Sequence, residues 1–335
     1  QACLANQTGS KNVIIGYQAG ITATDIDNAV LIGWKAGNAI NANGGDATVA
    51  IGYEALNDLT SGEHNIAIGY KTLEHITTGT DNIAIGYQAL GDKDHHSNCA
   101  DSDHNLAIGT NALGGAWESN TSEYNVGVGN YTLDGVMNDA NYNTAVGYAA
   151  GSAVTEGDNN VLVGKYAGVS ITTGSDNVCI GANAGDGFDA ESQNIAIGSG
   201  AFGAAVNGAD YCVAIGYGAM YGAATEDGTI AIGKDALASL TGGASNIAIG
   251  YGAADDLTSG LKNIAIGEHS MGQHVGGDFN IAIGVHAMDG TGNSNSNDSD
   301  HNIFIGLDSG GGTWAAADSD GNIGIGSYTL DAAIL

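Results

Sequence analysis

An all-β chain wound as a parallel β-solenoid (a β-roll) is the class this sequence predicts, and three observations predict it. A motif ending in Ile-Gly or Val-Gly occurs 18 times, at Gly16, Gly33, Gly52, Gly69, Gly86, Gly109, Gly129, Gly147, Gly164, Gly181, Gly198, Gly216, Gly233, Gly250, Gly267, Gly284, Gly306 and Gly326. Ten of the 17 intervals between these glycines are 17 residues long. Before each glycine, large and small residues alternate with the period of two that marks a strand with one buried face. A 17-residue unit is too short for two helices and their turns. It suits a coil of two short strands and two turns, stacked on the next coil at about 4.8 Å. Eighteen coils at that spacing extend on the order of 85 Å. Residues 1–11 read as an N-terminal tail and 12–335 as one continuous repeat array. The longer intervals, 23 residues before Gly109 and 22 before Gly306, read as insertions in loops.

Each position of the repeat has its own demand. The residue before the glycine is Ile or Val in all 18 copies, and the residue two earlier is aliphatic in all but one, where it is Thr144. Between them stands Ala or Gly in 13 copies. Large residues are the usual core formers, so Ile68, Ile85, Ile197, Ile249 and Ile283 are expected to form one inward ladder. By strand alternation the small residues, Ala67, Ala84, Ala196, Ala231, Ala248, Ala265 and Ala282, are then expected to face outward, as a strip that another sheet can approach closely. Tyrosine follows the glycine in seven copies and Trp34 once, which predicts a column of stacked rings. Three residues after the glycine the chain carries Ala, Ser or Thr, then mostly a large apolar residue or Gly, then a polar turn such as Thr78-Gly79 or Ser259-Gly260. Asparagine lies four residues before the glycine in 14 copies, among them Asn65, Asn82, Asn105, Asn177, Asn194, Asn246, Asn263, Asn280, Asn302 and Asn322. An amide at one fixed place in every coil can bond its equivalents above and below, so these form a structural ladder.

Composition removes several function classes. Glycine takes 56 positions and proline none, and Lys plus Arg number 7 against 37 Asp plus Glu, for a net charge of −30. Phosphate contacts need Lys and Arg, so nucleic-acid binding is excluded, and anionic membranes repel such a chain. An apolar content of 43% is too high for the disordered class, and glycine lacks the every-third spacing of collagen. No apolar run is long enough to span a bilayer as a helix. A chain opening at Gln1 suggests a removed signal peptide or a trimmed fragment.

Candidate sites are few. Acidic residues cluster in turns as Asp101-Ser102-Asp103, Asp298-Ser299-Asp300 and Asp318-Ser319-Asp320. Alternating oxygen ligands of this kind suit Ca²⁺, although none continues into an EF-hand loop with its distal Glu. His95, His96, Cys99 and His104 carry zinc-type donors at a spacing that fits no standard zinc motif. Cys179 and Cys212 fall two coils apart, nearly 10 Å by coil spacing, too far for a disulfide. No nucleophile–base pair or phosphate cradle is present, so an enzyme is not expected.

Asn-x-Ala-Ile-Gly run in tandem, with Ile-Gly-Tyr-x-Ala-Leu and Thr-Thr-Gly recurring, resembles the head repeats of trimeric autotransporter adhesins of the YadA type. It is equally similar to related repeats of bacteriophage tail fibres. The resemblance covers Asn12 through Leu330. It implies a left-handed parallel β-roll, association as a trimer, and a role in adhesion or receptor binding at a cell or virion surface. Two functions follow as expectations. One is a non-enzymatic extracellular filament subunit that joins copies of itself end to end through coils such as the apolar Ala332-Ala333-Ile334-Leu335. The other is an adhesin head or phage tail-fibre shaft that attaches to a host glycan or protein.

Overall fold

In the computed structural model the chain is all-β, with eighteen parallel three-residue strands wound as a β-solenoid. The structure describes residues 8–41, 44–91, 102–117, 121–204, 208–222, 224–291, 299–312 and 319–331. Two compact units divide the chain, Gln1–Gly174 and Ser175–Leu335. The first holds nine strands, from β1 (Val13–Ile15) to β9 (Val161–Val163), and the second nine more, from β10 (Val178–Ile180) to β18 (Ile323–Ile325). Within each unit every strand pairs in parallel with the next, and motif residue lies beside motif residue: Ile66, Ala67 and Ile68 against Ile83, Ala84 and Ile85, for example. Ahead of the first strand, Ser10 bonds Asp27 of the next coil through both its backbone N–H and its hydroxyl.

The strand faces are the reverse of the expectation. The middle residue of every strand but the first is buried, and no flanking residue is. Ala67, Ala84, Ala196, Ala231, Ala248, Ala265 and Ala282 are all at most 1% exposed. Ile68 and Ile249 are exposed, and Ile85, Ile197 and Ile283 are intermediate. The five isoleucines assigned to the core therefore lie on the outer face of the sheet. The cause is the width of the coil. Its interior already holds the buried asparagines, the apolar residue four after the glycine (Leu56, Leu73, Leu113) and another seven after it (Ile40, Leu59, Ile76). What remains opposite the strand accommodates only a methyl group.

The exceptions confirm this packing. Where the middle residue is Leu31, the positions four after the glycine in its own and the preceding coil are Gly37 and Gly20, and a Cβ on either would come within 2.9 Å of the Leu31 side chain. Leu162 is likewise opposed by Gly151 and Gly168, and Phe304 by Gly310. In the opposite sense, Gly127 takes the middle position where a Cβ would come within 2.9 Å of Leu113. Large and small residues exchange places across the core so that its volume stays constant, as close packing requires.

The motif glycine is required twice over. Its φ lies between +124° and +146° in the described glycines, a region L-residues rarely adopt. A Cβ on Gly69 would also overlap the carbonyl oxygen of Gly86 in the next coil. Three other positions per coil are left-handed. The first is five before the glycine (His64, φ 59°), the second two after it (Lys71, φ 53°), and the third four after it (Leu73, φ 49°).

Candidate interaction surface

Side chains form four kinds of column, each set by one register position, and the aromatic one, from Trp34 to Tyr87, lies in the first unit. The first is internal. Asn65 Nδ2 donates to Gly79 O at 2.7 Å, while its Oδ1 accepts the backbone N–H of Asn82 at 3.0 Å. Asn82 does the same for Asn105 at 3.0 Å. In the second unit Asn177, Asn194, Asn246, Asn263, Asn280, Asn302 and Asn322 occupy the same position, with Oδ1 of Asn302 accepting the N–H of Asn322 at 2.8 Å. Cys212 substitutes once, accepting the N–H of Thr229 on its sulfur at 3.4 Å. All of these amides but Asn322, in the last coil, are buried, and they spend their hydrogen bonds on the coil rather than on a ligand.

The second column was not read from the sequence. Six residues before the glycine, a short polar side chain accepts the backbone N–H of the same position in the preceding coil. Thr80 donates to Asp103 at 2.6 Å, Asp278 to Asp300 at 2.6 Å and Asp300 to Asp320 at 2.8 Å. Asp27, Asp46, Asn141, Asp158, Asp210 and Asp227 act in the same way. At Asp27 the Ser10 backbone and hydroxyl hold the carboxyl pKa below its usual value. The signal was present as an Asp, Asn or Ser two residues before the ladder Asn, which is the pattern of side chains that cap a turn. Asp103, Asp300 and Asp320, assigned above to Ca²⁺, are thus members of a capping ladder. Asp101, Asp298 and Asp318 lie outside the described residues, as do His95, His96 and Cys99. Among the described residues no group of three His, Cys, Asp or Glu side chains is placed to hold a metal ion.

The third column is aromatic. Trp34, Tyr53, Tyr70 and Tyr87 stack face to face with centroids 4.7, 5.2 and 5.1 Å apart. Beside them the position two after the glycine carries an ion network: Lys35 and Lys71 both reach Glu54 at 3.4 Å, and Lys71 reaches Glu74 at 2.7 Å. His75 closes it against Asp58 at 2.8 Å and Glu74 at 3.4 Å. Burial opposes a charge on His75, but the two carboxylates outweigh it and hold the imidazole pKa at about 9. A shorter exposed stack, His104, Tyr124 and Tyr142, forms five residues before the glycine.

The fourth column is the outer face of the strands. Val, Ile, Leu or Thr flank the middle residue on every strand, so each unit presents two parallel rows of branched aliphatic side chains to the outside. Among the described residues these side chains are intermediate or exposed, with Ile68, Ile108, Val146, Ile180 and Ile249 all at least 36% exposed. Continuous apolar surface of this kind is rare on a monomer and marks contact with another molecule.

The described cysteines are inert: Cys179 and Cys212 are free and buried, and burial pushes the Cys179 thiol up to about 12. No helix in the described residues is long and apolar enough to cross a membrane. Comparison with family models, curated proteins and solved structures finds no match for the chain.

Proposed function

We propose that this chain is a non-enzymatic structural fibre protein, at a cell or virion surface, that associates with copies of itself through the outer face of its sheet. The observation that carries the reading is the double row of Val and Ile on the strands, with Ile68 and Ile108 each 36% exposed and Ile180 38% exposed. Full burial of a branched side chain contributes about 1.5–3 kcal/mol; away from the end strands these side chains are about one-third exposed or less, so each supplies a fraction of that, summed over the strands of a unit. Parallel sheets are ordinarily covered on both faces, and here the core covers one. The resemblance to trimeric adhesin heads supports a three-fold arrangement, in which three such faces meet.

The test is the replacement of outer residues by charge. Ile68→Asp and Ile108→Asp together, two strands apart so that the new charges are not register partners, should keep the circular dichroism of the parent and a folded monomer, because neither side chain is in the core. Sedimentation velocity should then show a monomer where the parent chain sediments as an oligomer. A parent chain that is monomeric at tens of micromolar would overturn the reading. Attachment to a host surface is the second reading, and the exposed Tyr53, Tyr70 and Tyr87 favour it, because a row of tyrosines offers sugars both apolar ring edges and hydroxyl hydrogen bonds. A glycan array on which Trp34→Ala and Tyr53→Ala abolish a signal would move that reading ahead.

A further inference from the structure

One notch in the surface of the second unit is unlike the regular columns. In the position two after the glycine, four successive coils carry Asn183, Gly200, Gly218 and Asp235. All four have the same left-handed backbone, with φ of 57°, 64°, 61° and 56°. Asn and Asp adopt that conformation here, as Lys35, Glu54 and Lys71 do elsewhere, so the fold does not demand glycine at 200 and 218. What the two glycines provide is room: a notch of about 510 Å³.

Its walls have one chemical character. Asp186 and Asp235 supply carboxylates, Tyr217 and Tyr221 supply rings that are 62% and 56% exposed, and no Lys or Arg lines it. Asp235 uses Oδ2 on Lys234 at 2.9 Å and turns Oδ1 over Gly218, 2.7 Å from where a Cβ would stand. Asp186 has no cationic neighbour to compensate its burial, which raises its pKa against the Asn183 side chain and its own backbone amide, which lower it. Its Oδ1 is out of solvent without a hydrogen-bond partner. Anionic oxygens beside exposed ring faces, in a chain of charge −30, form the combination that binds an organic cation, through charge-assisted hydrogen bonds and cation–π attraction.

We propose that this notch binds a primary alkylammonium group, presented either by a free diamine or by the lysine side chain of a peptide. The ammonium lies between Asp186 and Asp235, and the alkyl chain lies along Tyr217 and Tyr221 over the glycine floor. A neutral sugar would leave the carboxylates without a counter-charge, and a bare divalent ion would leave the rings unused.

The experiment is calorimetric titration of the full chain, in about 150 mM salt to screen diffuse attraction. The probes are 1,4-diaminobutane, a lysine-containing acetylated tripeptide amide, and methyl glucoside as the neutral control. Gly200→Asn fills the notch with a residue that the same position carries at Asn183 and Asn111, and a Cβ there would sit 3.8 Å from the Tyr221 ring, in ordinary contact. It should keep the parent melting temperature and lose at least tenfold in affinity for the amine. Asp186→Asn should do the same. Asp308→Asn, which removes one charge at the register of Asp235 in another coil, should change nothing. The tighter of the two amine probes identifies the source. Absence of amine binding, equal binding by the Gly200→Asn chain, or comparable binding of methyl glucoside would each overturn the proposal.

Discussion

Ala67 and Leu73 show how a single residue is constrained by the interior. The middle strand position and the position four after the glycine share one volume, as the Leu31 and Gly37 pair demonstrates. Ala67→Leu should therefore overpack the core and cost about 1–3 kcal/mol, and Leu73→Gly should cost as much or more by leaving a cavity. Made together they set a Leu at the middle position against a Gly four after the motif glycine, as Leu31 stands against Gly37. Urea denaturation of the two single variants and the double variant should then give a coupling of at least 1 kcal/mol, well above what independent sites show. Two histidines act at the same scale with opposite signs. His274 takes the core position seven after the glycine that Leu257 and Leu240 occupy nearby, is fully buried, and has its pKa pushed down to about 4 by burial. Unfolding frees it to bind a proton below about pH 6.5, so stability should fall as pH drops from there towards 4. His75 has its pKa raised to about 9, so its contribution is complete below about pH 6.5 and should be lost as pH rises towards 9. Each effect is at most roughly 3 kcal/mol. Thermal melts across pH should show His274→Leu flattening the acid side and His75→Leu the alkaline side, each relative to the parent.

The ladders operate at the level of the element, the coil. An Asn in this position makes two bonds, one through Nδ2 to a carbonyl and one through Oδ1 to the next backbone N–H, and so replaces water for two buried groups at once. Thr229 and Thr48 stand in the same position, are fully buried, and leave their hydroxyl oxygens without a partner. A threonine side chain is one atom too short to reach both groups. Thr229→Asn should continue the column between Cys212 and Asn246 and stabilise by about 1 kcal/mol, read as a raised urea midpoint with an unchanged slope. A lower midpoint would mean that the Thr229 methyl group contributes more packing than the ladder contributes hydrogen bonding.

For the whole molecule, the balance lies between an apolar face and a charge of −30. The outer Val and Ile rows favour association, and mutual repulsion of the acidic surfaces opposes it. Repulsion is screened over about 10 Å at 0.1 M salt, whereas burial of aliphatic surface is not weakened by salt. Association measured by sedimentation should therefore tighten as sodium chloride rises from 10 to 500 mM. A loss of oligomer with added salt would show instead that ion pairs between the copies hold them together.

Much of this architecture was legible in one sequence because a repeat states each physical demand many times. The motif glycine, the ladder asparagine and the ring after the glycine recur at fixed spacing, and only a coil stacked on itself gives that spacing a meaning. Class, repeat length, strand position and the Trp34–Tyr87 stack all follow from it. The inward face does not. Alternation says that one set of residues is buried, but it is symmetric between the two sets, and a preference for large residues in cores chose Ile68 over Ala67. A distinguishing signal was present in the exchange of Leu31 with Gly37 and Phe304 with Gly310, because only side chains that meet in one interior compensate each other's volume. The acidic turns were ambiguous for a related reason. A carboxylate that caps a turn and one that binds a cation look alike in sequence, and the backbone N–H groups facing Asp103, Asp300 and Asp320 exist only once the coils are stacked. Local chemistry at each position was thus determined by the sequence alone. Which side of the strand faces the core, and which carboxylates remain free, depended on distances between coils, and those only the tertiary structure could decide.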